Sequence, residues 1–257
     1  MYNKSVNKSD LLLNLSNFLK INNVDNSEEE SQIMIAYAGS SEKYIDVNFN
    51  KIDEIILKSL VEERLKGKPL SKIIGQKGFW KNIFFTDEHT LDPRADSEII
   101  VENILNDLSS KKIKDQFFVD ICCGSGCLGI SILDELNNSY CDFIDISEKA
   151  LSVCKKNISK LKVDSRSSIY TSNLFSNYPI ERLLQADILM CNPPYIPTKK
   201  YINLDSQTLY DPKIALDGGE DGIIYYVKIL NYLKMVQFTG DIFFEIDPII
   251  IENLEKF

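Results

Sequence analysis

Histidine is almost missing from this chain: His89 is the only one among 257 residues. That excludes a histidine-built zinc centre and paired-histidine acid–base chemistry. His89 itself stands in the polar stretch TDEHT, where nothing marks it as a base, so a surface position is expected. No apolar run approaches the ~20 residues that a membrane-spanning helix needs. The N-terminal stretch MYNKSVNKSDLLLNL has a short leucine core and no small-residue cleavage site, so no secretory leader and a cytoplasmic address are expected. CxxC pairs are absent too. The six cysteines (Cys122, Cys123, Cys127, Cys141, Cys154, Cys191) fall among strand-like and helical runs and read as buried, reduced thiols. A redox or metal cluster of Cys122, Cys123 and Cys127 is the competing reading. Positive charge is in deficit, with 29 Lys and Arg against 38 Asp and Glu, or −9 net. Broad, sequence-independent nucleic-acid binding rests on cationic side chains and is disfavoured.

What is present divides the chain into three stretches. Residues 1–72 read as a small helical unit. Ser9 is placed to cap a first helix, Ser27 and Glu30 form a capping box before EEESQIMIAYA, which ends near Gly39, and Ile52, Ile55, Ile56 and Leu60 mark one face of a third helix stopped by Gly67 and Pro69. Residues 73–95 carry Gly75, Gly78, Phe79, Trp80, Ile83, Phe84 and Phe85 and predict a β-hairpin linker, its aromatics engaged in packing. Residues 96–257 alternate helix and strand. Strands are predicted at 117–121, 141–146, 168–171, 187–191 and 241–246, with helices from Ile99, at 127–136, at 147–161 behind a Ser147 cap, and at 222–235. Fully apolar strands alternating with helices imply a parallel α/β sheet covered on both faces.

Two loops in that stretch carry chemistry. The first is Asp120–Gly129 (DICCGSGCLG), between a strand and a helix. Gly124, Gly126 and Gly129 satisfy G-x-G-x-x-G, and Asp145 ends the next strand about 20 residues on, as a nucleotide ribose requires. Glycines admit a ligand close to the backbone, and the helix N-terminus offers free N–H groups. NAD and S-adenosylmethionine both carry an adenosine ribose, so this loop alone leaves the two open.

The second loop is Asn192-Pro193-Pro194-Tyr195, at the C-terminal edge of the strand ADILMC. Successive prolines supply no N–H and fix φ near −65°. The result is a rigid edge offering acceptors. A planar amine conjugated to a carbonyl or ring has two N–H donors that such an edge can hold, through the Asn192 side-chain oxygen and the Pro193 carbonyl, with Tyr195 flanking the plane. Transfer of an already activated methyl then needs positioning more than proton chemistry, so scarce histidine is no obstacle.

Asn-Pro-Pro-Tyr after such a strand resembles the loop of methyltransferases acting on planar amide or exocyclic amine nitrogens. Four further segments resemble, in order, the release-factor glutamine methyltransferases: RLKGKPLSKIIG (64–75) with Phe79-Trp80, LDPRADSE (91–98), Ile144–Leu151, and DPKIALDGGEDG (211–222). That resemblance covers nearly the whole chain. It implies methyl transfer from S-adenosylmethionine to the side-chain amide nitrogen of the glutamine in the Gly-Gly-Gln loop of peptide chain release factors. It also implies a Rossmann-like methyltransferase domain, a helical N-terminal domain that docks the release factor, and no metal, membrane or direct nucleic-acid partner; a monomer is expected. By position Cys122, Cys123, Gly124, Ser125 and Gly126 would line the methionine side of the cofactor, Asp145 would hold the ribose, and Asn173 and Leu174 would flank the adenine. Asn192, Pro193, Pro194 and Tyr195 would hold the glutamine.

The chain departs from the family at several points. Cys122 and Cys123 replace the first two loop positions, Ala95 and Ser97 alter the 91–98 segment, and Asn173 replaces an Asp. After Asp247 only ten residues follow where the family continues into a further helix and two strands, so a truncated or reduced sheet with an open edge is expected. Four other readings stay open: a ribosomal-protein glutamine methyltransferase, a nucleic-acid adenine methyltransferase, an NAD-dependent oxidoreductase and a non-catalytic remnant.

Overall fold

The computed structural model describes residues 8–39 and 52–256. The first seven residues of the N-terminal stretch read above lie outside these. The chain divides into two compact units, Met1–Ile74 and Gly75–Phe257.

Among its described residues the first unit has four helices: α1 (Lys8–Ile21), α2 (Ser27–Ala38), α3 (Glu54–Leu65) and α4 (Leu70–Ile74). Leu15, Leu19, Met34, Ile35, Leu60, Leu70 and Ile74 form its core. The helix count exceeds the three read from sequence, and three local expectations need correction. Ser9 lies inside α1 and not before it. The capping box does not form: Asn26, in the left-handed region, precedes α2, and the Glu30 carboxylate accepts from buried Arg64 Nε at 2.7 Å. An ion pair between helices thus takes the side chain that local pattern assigns to a cap. The α3 face is also different. Leu60 is buried, whereas Ile55 is 82% exposed; the cap of α3 is Asp53, accepting from the Ile55 and Ile56 N–H groups.

The second unit opens with an antiparallel hairpin, β1 (Gln76–Phe79) and β2 (Asn82–Phe85). Phe79 and Phe84 are fully buried, edge to face at 6.0 Å. There follow α5 (Glu98–Lys111), β3 (Phe117–Ile121), α6 (Cys127–Glu135), β4 (Tyr140–Asp145), α7 (Glu148–Lys160), β5 (Ser167–Thr171), α8 (Ile180–Leu183), β6 (Ile188–Cys191), α9 (Thr198–Tyr201), α10 (Ile224–Met235), β7 (Asp241–Phe244) and α11 (Ile251–Glu255). Every strand of the main sheet agrees with the expected one to within two residues at either end. The Ser147 hydroxyl accepts from Ala150 N–H, which starts α7 where the sequence sets it. At the end of α5, Lys111 pairs with Asp107 and Asp241.

The five strands are all parallel, in the order β5-β4-β3-β6-β7. Period-two alternation divides their side chains between faces. Phe118, Phe143 and Met190 pack with Ile104, Ile130 and Ile158 on one side; Val119, Ile121, Ile144 and Leu189 pack with Ile229 and Leu233 on the other. Each such fully buried side chain contributes about 1.5–3 kcal/mol. This is an open, parallel Rossmann-like α/β sheet with a hairpin and an N-terminal helical region. β3 runs on to the one side into β4 and borders β6 on the other, so the strand order reverses between β3 and β6. Ligands of open α/β sheets bind at the C-terminal ends of strands at such a switch. Both chemistry-bearing loops start there.

Candidate active site

The β3–α6 turn is built on three positive-φ residues: Cys122 at 57°, Gly124 at 53° and Gly126 at 77°. Only the glycines adopt that region without strain. A Cβ on Gly126 would lie 2.6 Å from Cys154 Sγ, so glycine is also required by packing. The turn delivers the chain to α6 with its N-terminus at the cleft.

Asp145 closes the other side. Its carboxylate accepts from Gly124 N–H and Ser147 N–H, both at 2.9 Å. Burial raises its pKa, while these backbone donors oppose the rise. Two donors leave further lone pairs on the carboxylate for ligand hydroxyls.

Beyond β6, Asn192 Nδ2 donates to Ser97 Oγ at 3.2 Å, and Ser97 Oγ donates to the Glu245 carboxylate in a short bond. The Asn192 side-chain oxygen makes no hydrogen bond among the described residues. Pro193 and Pro194 are buried. The loop is backed by the DPKIALDGGEDG block: Ile196 N–H donates to the Leu216 carbonyl and Gly218 N–H to the Ile196 carbonyl, both at 2.9 Å. Gly218 has no room for a Cβ, which would meet Pro194 O and Tyr195 Cα at 2.7 Å. The 91–98 segment is tied to the same block, because Asp211 accepts from Arg94 Nη2 at 2.5 Å and from Asp92 N–H at 3.1 Å.

One cleft gathers most of the residues singled out in the sequence: Cys122, Cys123, Gly124, Ser125, Asp145, Asn173, Leu174, Asn192 and Pro194. Gly126, Pro193 and Tyr195 do not line it. Gly126 is packed beneath the turn, and Tyr195 packs against Ile223, Tyr226 and Ile250. Burial, with Glu245 and Asp247 nearby, pushes the Tyr195 phenol up to about 12, so it stays protonated. His89, in the Asp87–Thr90 turn, is part-exposed and stands at the rim of the same cleft, which the sequence did not indicate. Glu98 neither caps α5 nor lines the cleft; its carboxylate accepts from Trp80 N–H. All six cysteines are free, with Cys122 and Cys127 partly exposed. Sequence reading missed Glu245 altogether and noted Ser97 only as a departure. An acidic residue directly after an apolar strand, beside the strand that carries Asn192, was the signal for the former.

The methyltransferase small domain model matches residues 89–227, over half of the chain, and sets the class of this fold and site as a methyltransferase. The chain is 30% identical over 253 residues to the release factor glutamine methyltransferase of Leptospira interrogans, covering 95% of this chain and 87% of that protein. It is 36% identical over 190 residues to the enzyme of the same name from Mycoplasma mycoides, covering 72% of this chain and 63% of that protein. With the bifunctional methyltransferase of Rickettsia bellii it shares 30% identity over 254 residues, 87% of this chain and 45% of that one. The chain thus spans about half the length of such bifunctional relatives. It belongs to the release factor glutamine methyltransferase family.

The family implies S-adenosylmethionine as cofactor, and the residues present fit it. A carboxylate with spare lone pairs at the end of β4, a glycine turn open to close approach, and Leu174 and Ile146 at the cleft wall match ribose hydroxyls, a methionine chain and a purine respectively. Among the described residues no group of side chains is arranged to hold a metal ion, and no helix is long and apolar enough to cross a membrane.

Proposed function

We propose that this chain transfers a methyl group to the side-chain amide nitrogen of the glutamine in the Gly-Gly-Gln loop of a peptide chain release factor. The observation that carries the proposal is the Asn192 amide: its nitrogen is committed to Ser97 and Glu245, its oxygen makes no hydrogen bond among the described residues, and the side chain lines the cleft. An acceptor NH2 finds there a partner that can only accept. The paired prolines bring no N–H of their own and hold that acceptor still. When bound, S-adenosylmethionine supplies a methyl already activated on a sulfonium. Asp145 holds the ribose hydroxyls, Cys122–Ser125 take the methionine side, and Asn173 and Leu174 flank the adenine. Pro194 forms the wall beside the acceptor, and Tyr195 anchors the loop from behind. The first unit, residues 1–72 in this reading, docks the release factor, and 73–95 link it to the transferase. Two of the relatives bear names with the same acceptor class.

Calorimetry with S-adenosylhomocysteine and with NAD tests the cofactor. The homocysteine nucleoside binds and NAD does not; the reverse would favour an oxidoreductase. Radiolabelled cofactor, offered with a release factor and its Gln→Ala version, tests the acceptor. Label confined to the former is expected. Label on both, on neither, or on ribosomal protein or DNA in their place contradicts the assignment.

A further inference from the structure

An asparagine amide can turn end for end at little steric cost, and one end presents acceptors while the other presents donors. Something must choose. Three elements meet at this point. Ser97 lies just before α5, Glu245 follows β7, and Asn192 follows β6. Glu245 is itself fastened, its N–H donating to the Cys191 carbonyl at 3.0 Å and its carbonyl accepting from Tyr226 Oη at 2.7 Å. A carboxylate only accepts. The Ser97 hydroxyl therefore spends its one proton on Glu245 and has only lone pairs to offer Asn192. Lone pairs can hold the Asn192 nitrogen and not its oxygen.

We propose that Ser97 and Glu245 are positioning residues that set the polarity of the Asn192 amide, so that the site presents an acceptor to an incoming NH2 and rejects groups without N–H donors. The proposal rests on the reading that Asn192 holds the substrate amide, and neither residue touches the reacting atoms. Glu245 acts through Ser97 and also directly, its carboxylate accepting from the Asn192 side chain, so the Asn192 nitrogen faces acceptors alone. The chain of bonds is a one-way relay: acceptor, hydroxyl, amide nitrogen.

The test uses the full chain and two readouts. The first needs no substrate. The Asn192 side-chain NH2 resonance, assigned by its loss in Asn192→Ala, is slow to exchange with solvent. Ser97→Ala speeds that exchange at least about tenfold, the scale of one lost hydrogen bond, whereas Ser97→Thr retains the protection. The second is turnover on a release factor. Ser97→Ala lowers kcat about tenfold or more with the affinity for S-adenosylhomocysteine unchanged, and Ser97→Thr, which keeps the hydroxyl, regains most of the loss. Glu245→Gln, which can donate to the hydroxyl and reverse the relay, falls in kcat in the same way. Exchange unaltered by Ser97→Ala overturns the relay whatever the turnover. Exchange altered while the parent protein fails to methylate any release factor upholds the relay and overturns the assigned substrate. Equal losses in the Ala and Thr variants would also refute the hydroxyl's part.

Discussion

Asp145 Oδ2 accepts the Gly124 N–H at 2.9 Å, so one carboxylate braces the glycine turn and faces the cleft that the turn borders. Asp145→Ala is expected to weaken S-adenosylhomocysteine binding about tenfold to a hundredfold, the range of one or two charge-assisted hydrogen bonds. Calorimetry on the full chain reads the change. Affinity within twofold of the parent would remove the ribose from this residue.

Cys122 holds φ at 57°, a region where a Cβ costs roughly 1–2 kcal/mol. Cys122→Gly relieves that strain, less the added freedom of the unfolded chain. A net gain of about 0.5–1 kcal/mol in urea-unfolding stability is expected, with cofactor affinity kept. A loss of stability would show that packing of the thiol beside Cys191 outweighs the backbone term.

Gly218 abuts the Pro194 carbonyl and Tyr195 backbone, and those atoms cannot swing aside as a long side chain would. Gly218→Ala should displace the Asn192–Tyr195 loop. Overpacking of this kind costs about 1–3 kcal/mol, and turnover should fall by more than the affinity for S-adenosylhomocysteine. Steady-state kinetics beside calorimetry separate the two; equal losses would mean that the whole cleft has been disturbed.

Asp120 lies under the glycine turn, fully buried. Oδ2 accepts from Gly129 N–H at 3.0 Å, and Oδ1 has no partner among the described residues. Burial raises its pKa from 3.8 to about 7. The folded state therefore binds this proton more tightly than the unfolded state. Stability falls as pH climbs from about 4 to 7, and the whole penalty, on the order of 4 kcal/mol at about 1.4 kcal/mol per unit, applies above 7. Asp120→Asn keeps the acceptor for Gly129 and cannot ionise, although its buried NH2 costs about 1–3 kcal/mol. Its stability relative to the parent should rise with pH across that window, measured by urea unfolding at pH 5 and pH 8. A difference independent of pH would contradict the assignment.

The sheet and both chemistry-bearing loops were legible because their determinants are local. FFVDI and ADILMC are apolar apart from one aspartate each, and the glycine turn and paired prolines declare themselves within a few residues. The helical unit was less so. Nothing near Glu30 announces that Arg64, thirty-four positions away, will take its carboxylate. The orientation of α3 follows from where Leu60 finds its neighbours, and the exposed Ile55 shows that periodicity in a short helix does not settle that. The polar stretch around His89 fits its partly exposed position, but nothing in it indicates that the turn made by Asp87 and Thr90 borders the cleft. Ser97 and Glu245 meet across 148 positions, and no spacing rule reaches that far.

Mass spectrometry of a release factor after incubation with this chain and S-adenosylmethionine tests the central claim most directly. One methyl on the side-chain nitrogen of the Gly-Gly-Gln glutamine is predicted, present with the parent chain and abolished by Asn192→Ala while cofactor binding persists. A methyl on any other residue, or an unreduced yield with the alanine variant, would contradict it.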